Sequence, residues 1–348
     1  MNDNSFYLFA TVISFATQFF LFIPFINFLY YRKMQRMDQK TTDPFGVRTP
    51  IFDRHHAHKV GTPVGGGILV IVVTVILFAV GILVNLWFAR ELTSNYPALS
   101  AEIFTLLFAM ISFGLLGLYD DLSKIFYWQK SQFFGMRMRQ KLVIEMILAT
   151  VISSVLFFVL KIDLVHIPFL GTFHLSYFYI LFAAFVIVAF SNAVNITDGL
   201  DGLSCGVLMI SLIGFWIVAR SIIDVPTSLF ISVWLGGILA FLYFNVYPAR
   251  IMLGDTGSLA FGAVFAVIGL ILGKPFALLL FGGIFVIEAF TSGVQLLSKR
   301  FLGRRIFTVS PFHLYLQNKG WQEPKVVFRM WIIAVICALL GLAASFLR

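Results

Sequence analysis

The chain has 348 residues, 60% hydrophobic and only 12% charged, with a formal net charge of +9 and a mean hydropathy of +0.95. Soluble domains are about one-quarter charged, so this composition excludes a water-soluble globular protein. Two-residue alternation is absent, which excludes an outer-membrane barrel. The basic excess fits cytoplasmic loops better than nucleic-acid binding.

Apolar runs recur at about the 20-residue length a spanning helix needs. They predict ten spans, near 6–31, 65–88, 103–119, 140–160, 177–191, 203–222, 228–245, 259–273, 276–297 and 326–347. The segment 161–176, with Pro168 and Gly171, reads as a small hairpin. Cys205 and Cys337 sit in or beside apolar runs and form neither a metal pattern nor a disulfide framework. The N-terminus lacks the positive n-region of a signal peptide. The first basic cluster, Arg32, Lys33 and Arg36, follows the first apolar run, which places the N-terminus outside.

Numbered from an external N-terminus, the odd gaps hold 19 of the 25 lysines and arginines. The even gaps and the C-terminus hold 5, and Arg329 lies just inside the last span. The asymmetry predicts cytoplasmic loops near 32–64, 120–139, 192–202, 246–258 and 298–325, with both termini extracytoplasmic. The fold class is therefore an all-α polytopic integral membrane protein of about ten transmembrane helices. Each acidic or glycine-rich cluster falls on the cytoplasmic side, and the external gaps carry no comparable constellation.

Those clusters carry the chemistry. Asn192, Asn195, Asp198 and Asp201 are each three residues apart, a spacing that on a helix keeps neighbours on one face. Asp120-Asp121 and Asp255, in Gly254-Asp-Thr-Gly257, bring the acids on this face to five of the chain's 16. Hard carboxylate oxygens suit Mg²⁺ beside phosphate groups, and acids near hydrocarbon are costly and usually functional. Lys59 precedes Gly61-Thr-Pro-Val-Gly-Gly-Gly67, where backbone amides could approach an anion; a flexible entry to the second span explains the glycines equally well. Lys124, three residues after Asp121, can hold a phosphate or neutralise the acids. His313 alone reads as structural, His55, His56 and His58 as a solvated loop, and Glu288 as facing other helices. Glu145 and Arg329 read as paired or snorkelling, with no assigned chemistry.

Three motifs then resemble the polyprenyl-phosphate N-acetylhexosamine-1-phosphate transferases: Asp120-Asp-Leu-Ser-Lys124, Asn192-Ala-Val-Asn-Ile-Thr-Asp-Gly-Leu-Asp-Gly202 and Leu253-Gly-Asp-Thr-Gly-Ser-Leu259. Lys59-Val-Gly-Thr-Pro-Val-Gly-Gly66, the tract from Gln295 to His313 and Lys319-Gly-Trp-Gln-Glu-Pro324 narrow the resemblance to the phospho-N-acetylmuramoyl-pentapeptide-transferase family. It runs from about residue 40 to the C-terminus, and the whole chain, 1–348, reads as one transmembrane transferase domain.

The resemblance implies ten helices, an inner-membrane location and a homodimer. It implies transfer of phospho-N-acetylmuramoyl-pentapeptide from its UDP-linked donor to undecaprenyl phosphate, giving lipid I and UMP with Mg²⁺ and no nucleic-acid partner. On that basis Asp120, Asp121, Asp255 and His313 are the catalytic candidates, and the three acids are the metal candidates. Lys59, Lys124, Asn192, Asn195, Asp198, Gly199, Leu200, Asp201, Met252 and Gln295 are the substrate-binding candidates.

Two departures stand out. The family usually has three consecutive histidines where this chain reads His313-Leu-Tyr315, and a uracil-stacking phenylalanine where this chain has Met252. They leave open a sister reading, transfer of GlcNAc-1-phosphate or another sugar phosphate to the same lipid. A secondary transporter is the reading from another class; its acids should lie mid-span, whereas these cluster at helix ends.

Overall fold

The computed structural model describes residues 3–35, 53, 59–88, 92–126 and 136–347. His55, His56, His58 and the basic residues Arg36, Lys40, Arg48, Arg54, Arg90, Lys130 and Arg348 lie outside the described residues.

The elements are α1 (Asp3–Tyr31), α2 (Gly66–Trp87), α3 (Leu99–Phe126), α4 (Met138–Phe158), β1 (Leu164–Ile167), β2 (Gly171–His174), α5 (Phe178–Thr197), α6 (Leu203–Ser221), α7 (Val225–Asn245), α8 (Gly254–Ile271), α9 (Pro275–Phe281), α10 (Gly283–Phe301), α11 (Phe312–Asn318) and α12 (Glu323–Phe346). Nine helices among the described residues are long and apolar enough to cross a membrane. α9 and α10, bent by 83° at their junction, raise the number to ten if the pair is one broken span. The expected hairpin at 161–176 is the antiparallel pair β1–β2.

Helix ends follow local chemistry. Pro226, Pro275 and Pro324 each stand in a first turn, where the missing N–H costs nothing. Asp224 caps α7 by accepting from Thr227 N at 3.0 Å.

The central helices α7 and α8 are almost wholly buried. α3 and α5 flank α8, α1 and α2 lie against α7, α4 lies outside α5, and α12 covers α6 and α9. Aromatic pairs fill the middle: Trp234 meets Phe261 at 5.2 Å and Phe215 meets Phe281 at 4.4 Å between ring centroids. Such pairs add about 0.5–1.5 kcal/mol each beyond area burial. The exposed sides of α1, α4 and α12 are apolar, as a lipid-facing rim requires.

Two expectations change. α3 continues to Phe126 rather than ending near 119, so Asp120, Asp121 and Lys124 are helical residues and not loop residues. The far end of the bundle also carries buried acids: Glu102 and Asp224 are both fully buried. Glu102 accepts from Ser94 Oγ at 2.5 Å and from Thr227 Oγ1 at 2.8 Å. Sequence reading missed this cluster because its partners lie 125 residues apart along the chain.

Candidate active site

The polar motifs converge at one end of the bundle, where α3, α5 and α10 finish and α2, α4, α8 and α12 begin. Its centre is the start of α8. Gly254 has φ +79°, a left-handed turn that glycine adopts without strain. Asp121 closes the turn: one oxygen accepts from Asp255 N at 3.0 Å, the other from Thr256 N at 2.9 Å and Thr256 Oγ1 at 2.8 Å. Asp121 is thus a helix cap supplied by a neighbouring helix. Gly117, one turn earlier on α3, permits this contact, because a Cβ there would lie 2.1 Å from Asp255 O.

Capping leaves Asp255 and Asp120 to share two cations. Lys124 Nζ is 2.9 Å from Asp120 Oδ2 and 2.8 Å from Asp255 Oδ2. Lys141 Nζ, at the start of α4, is 3.4 Å and 2.8 Å from the same two oxygens. The other Asp120 oxygen accepts from Met136 N at 2.7 Å. Two carboxylate oxygens therefore meet two ammonium groups within a small, mostly buried space. Lys124 pairs with Asp120, one turn away, rather than with Asp121.

Lys141 was missed as a site residue. It reads from sequence as one more basic loop residue; the signal available was Lys141 and Glu145, a charged pair four apart at the head of an apolar run.

Among the described residues no three His, Cys, Asp or Glu side chains form a set able to hold a metal ion. The three-acid ligand set Asp120, Asp121 and Asp255 is therefore not assembled, because the Asp121 oxygens face backbone and hydroxyl donors. Two carboxylates still suit Mg²⁺, which commonly uses one or two, filling its octahedron with water and substrate phosphate.

The Asn/Asp stretch does not project as one face. α5 ends at Thr197, so its members diverge. Asn192 Nδ2 donates to Glu145 Oε2 at 2.5 Å, and Asn195 Nδ2 donates to Ser258 Oγ at 2.7 Å. Asp201 turns the other way, with Oδ1 2.7 Å from Lys59 Nζ and Oδ2 accepting from Ala249 N at 2.9 Å. Only Asp198 stays with the acids. Burial, then the charge of Asp255, pushes its carboxyl up to about 7, with Asp121 and Asp201 adding to the rise and Lys59 opposing it.

Lys59 is spoken for as well. Its ammonium donates to Glu323 Oε1 at 2.7 Å and Gly199 O at 3.1 Å, and Glu323 Oε1 also accepts from Asp201 N at 2.6 Å. This buried knot ties the segment before α2 to the start of α12. Glu323 was quoted only as part of the Gly-Trp-Gln-Glu-Pro tract; the knot shows what it does in the fold.

The glycine tract does not offer its amides to an anion. Gly65 N and Gly66 N donate to Met252 O, and Gly67 N donates to Leu253 O. Close packing of α2 on the start of α8 is its role. Met252 is consequently fixed through its backbone, with its side chain partly exposed. Leu200 places its side chain in the core.

His313, at the start of α11, is 1% exposed. Glu288 holds it through His313 N at 3.0 Å and Nδ1 at 3.0 Å, which accounts for a buried acid in α10. Nε2 has no hydrogen-bond partner among the described residues and faces Gly199, where a Cβ would stand 2.5 Å away. Gln295 spends both ends of its amide on Phe307, donating to its O at 2.9 Å and accepting from its N at 3.0 Å, and so pins the loop that leads to His313.

Comparison with known proteins identifies the family. Residues 103–273 match glycosyl transferase family 4, a stretch that holds Asp120, Lys141, Asn192 and Asp255. Three relatives named phospho-N-acetylmuramoyl-pentapeptide-transferase align over nearly their whole length. The protein of Caldanaerobacter subterraneus subsp. tengcongensis is 35% identical over 94% of this chain and 95% of its own. Those of Acetivibrio thermocellus and Rickettsia akari are each 34% identical, over 98% and 97% of this chain and 96% and 92% of theirs. Similarity of this extent, over a bundle whose helix ends gather the same motifs, shows that the chain belongs to the phospho-N-acetylmuramoyl-pentapeptide-transferase family of membrane enzymes.

Proposed function

We propose that the protein transfers phospho-N-acetylmuramoyl-pentapeptide from its UDP-linked form to undecaprenyl phosphate, forming lipid I and releasing UMP. The reaction would take place at the cytoplasmic face of the inner membrane, with both termini outside and the chain paired as a homodimer. One observation carries the reading: Asp120 and Asp255 share Lys124 and Lys141 at the capped start of α8. The names of the near-full-length relatives support it, and family membership leaves no place for the transporter reading.

The chemistry sets the roles. An oxygen of the lipid phosphate attacks the sugar-linked phosphorus of the donor, and the bond to the UMP oxygen breaks with its electron pair. Both reactants are anions, so charge compensation and alignment dominate. Mg²⁺, held by Asp120 and Asp255, would supply charge neutralisation at the pyrophosphate. Lys124 and Lys141 supply two more positive charges within reach of the same oxygens. The second pKa of a phosphate monoester is about 6, so the acceptor is ionised at neutral pH and Asp120 need not act as a base. Asp121 keeps Asp255 in place through the cap. Asp198, Asn192, Asn195, Gly199 and the free Nε2 of His313 line the side from which the nucleotide sugar enters.

A second reading keeps the lipid acceptor and changes the sugar. Leu314 is buried in the core and Tyr315 stacks on Phe312 at 6.3 Å, so the ring nitrogens of a histidine run are absent and a single phenolic hydroxyl stands in their place. Purified protein with undecaprenyl phosphate, Mg²⁺ and each UDP-sugar in turn decides between them. UMP release with UDP-N-acetylmuramoyl-pentapeptide is the expected result. Release with UDP-GlcNAc alone would overturn it.

A further inference from the structure

Glu145 lies inside the bundle, 0% exposed, one helical turn beyond Lys141, and no role above uses it. Its Oε2 accepts from Asn192 Nδ2 at 2.5 Å, and the same Nδ2 donates to Val188 O at 3.0 Å. An amide nitrogen has two hydrogens, and both are thereby committed. A carbonyl oxygen and a carboxylate are both acceptors, so the Asn192 amide can satisfy them in one orientation only. Its Oδ1 is left turned away from both, with no hydrogen bond among the described residues.

The surroundings say what the Asn192 amide stands beside. Lys141 and Glu145 are successive rungs of α4, Asn192 and Asn195 of α5, and Asp255 and Ser258 of α8. Lys141 reaches Asp255 at 2.8 Å and Asn195 reaches Ser258 at 2.7 Å, so Glu145–Asn192 is the neighbouring rung of the same ladder. We infer that Glu145 is a positioning residue that locks the Asn192 amide with Oδ1 toward the site, as an acceptor for a hydroxyl or N–H of the sugar nucleotide. A freely rotating amide would present its NH₂ there part of the time, and a donor facing a donor is lost binding. The inference rests on the transferase reading for the class of ligand, and it does not depend on which sugar is carried.

The test compares two neutral replacements of similar length. Glu145→Met offers only a weak thioether acceptor, whereas Glu145→Gln can still accept through its oxygen. The Michaelis constants of the UDP-sugar and of undecaprenyl phosphate are measured separately, using whichever UDP-sugar the wild type turns over, with thermal melting in detergent as the check on folding. Glu145→Met is expected to raise the KM of the UDP-sugar about tenfold and leave that of the lipid phosphate unchanged, and Glu145→Gln to regain most of the loss. Asn192→Ala should match Glu145→Met, and the double variant should be no worse than either, the non-additivity expected of one shared contact. Equal impairment by Met and Gln would assign the effect to charge and overturn the inference. So would additive effects, or a UDP-sugar KM within twofold of wild type in Glu145→Met. Failure of the transferase reading shows separately, as a wild type inactive on the muramoyl donor.

Discussion

The two ends of the bundle bury carboxylates to opposite purpose. At the far end, Glu102 takes hydrogen bonds from Ser94 and Thr227, and Asp224 caps α7. Neighbouring backbone bonds, Val225 N to Thr93 O at 3.0 Å and Thr93 Oγ1 to Ile223 O at 2.9 Å, lace the same loops together. The donors are short side chains and main chain, anchored where they stand. At the site end, Asp120 and Asp255 face long lysine chains. Ammonium groups on flexible stems can shift to a phosphate without unfolding anything. A buried acid is therefore structural or reactive according to how its partners are tethered.

Asp121 and Asp255 show the same contrast within the site. Asp255→Ala has the largest expected effect. Turnover should fall by at least about 10²–10³, the scale for removing a preorganised electrostatic group from an active site. The melting temperature should fall, because Lys124 and Lys141 each lose a buried partner, but the protein should stay folded, since the Asp255 backbone still receives its cap. Retained turnover would remove Asp255 from the mechanism.

Asp121→Asn comes next and should break fold and activity together. An amide cannot accept at both ends, so one of the three donors now served by Asp121 loses its partner, at about 1–3 kcal/mol. A lower melting temperature accompanied by lower kcat is the expected pair. Normal stability with kcat lost would make Asp121 a reacting group instead of a cap.

The smallest effect belongs to the far end. Thr227→Val removes a hydroxyl donor from Glu102 and should cost about 1–3 kcal/mol of stability through the orphaned carboxylate oxygen, with kcat and both KM values unchanged. Any selective change in KM there would show that the two ends are coupled.

Much of this was legible in the residues. The ten apolar runs, the hairpin and the clustering of Asp120, Asp255 and the Asn/Asp stretch at helix ends could all be read locally. Hydrophobic length and motif spacing are properties of short segments. Lys141 reads only as a loop residue and Glu145 as a partner of Arg329 or a snorkelling chain, because their actual partners lie 114 and 47 residues away. Lys59, Met252 and Gln295 belong to recognisable motifs, yet the tertiary contacts occupy Lys59 and both ends of the Gln295 amide, and they hold Met252 by its backbone.

The sequence by itself determined the membrane class, a set of apolar runs matching nine or ten candidate spans and which polar residue types would serve a reaction between anions. Those follow from how much apolar surface the chain must hide and which side chains carry charge. Only the tertiary structure decided which acids are free to react. Asp120 and Asp121 are adjacent and chemically identical, but successive helical side chains point about 100° apart. One therefore meets two lysines, and the other meets the backbone that begins α8.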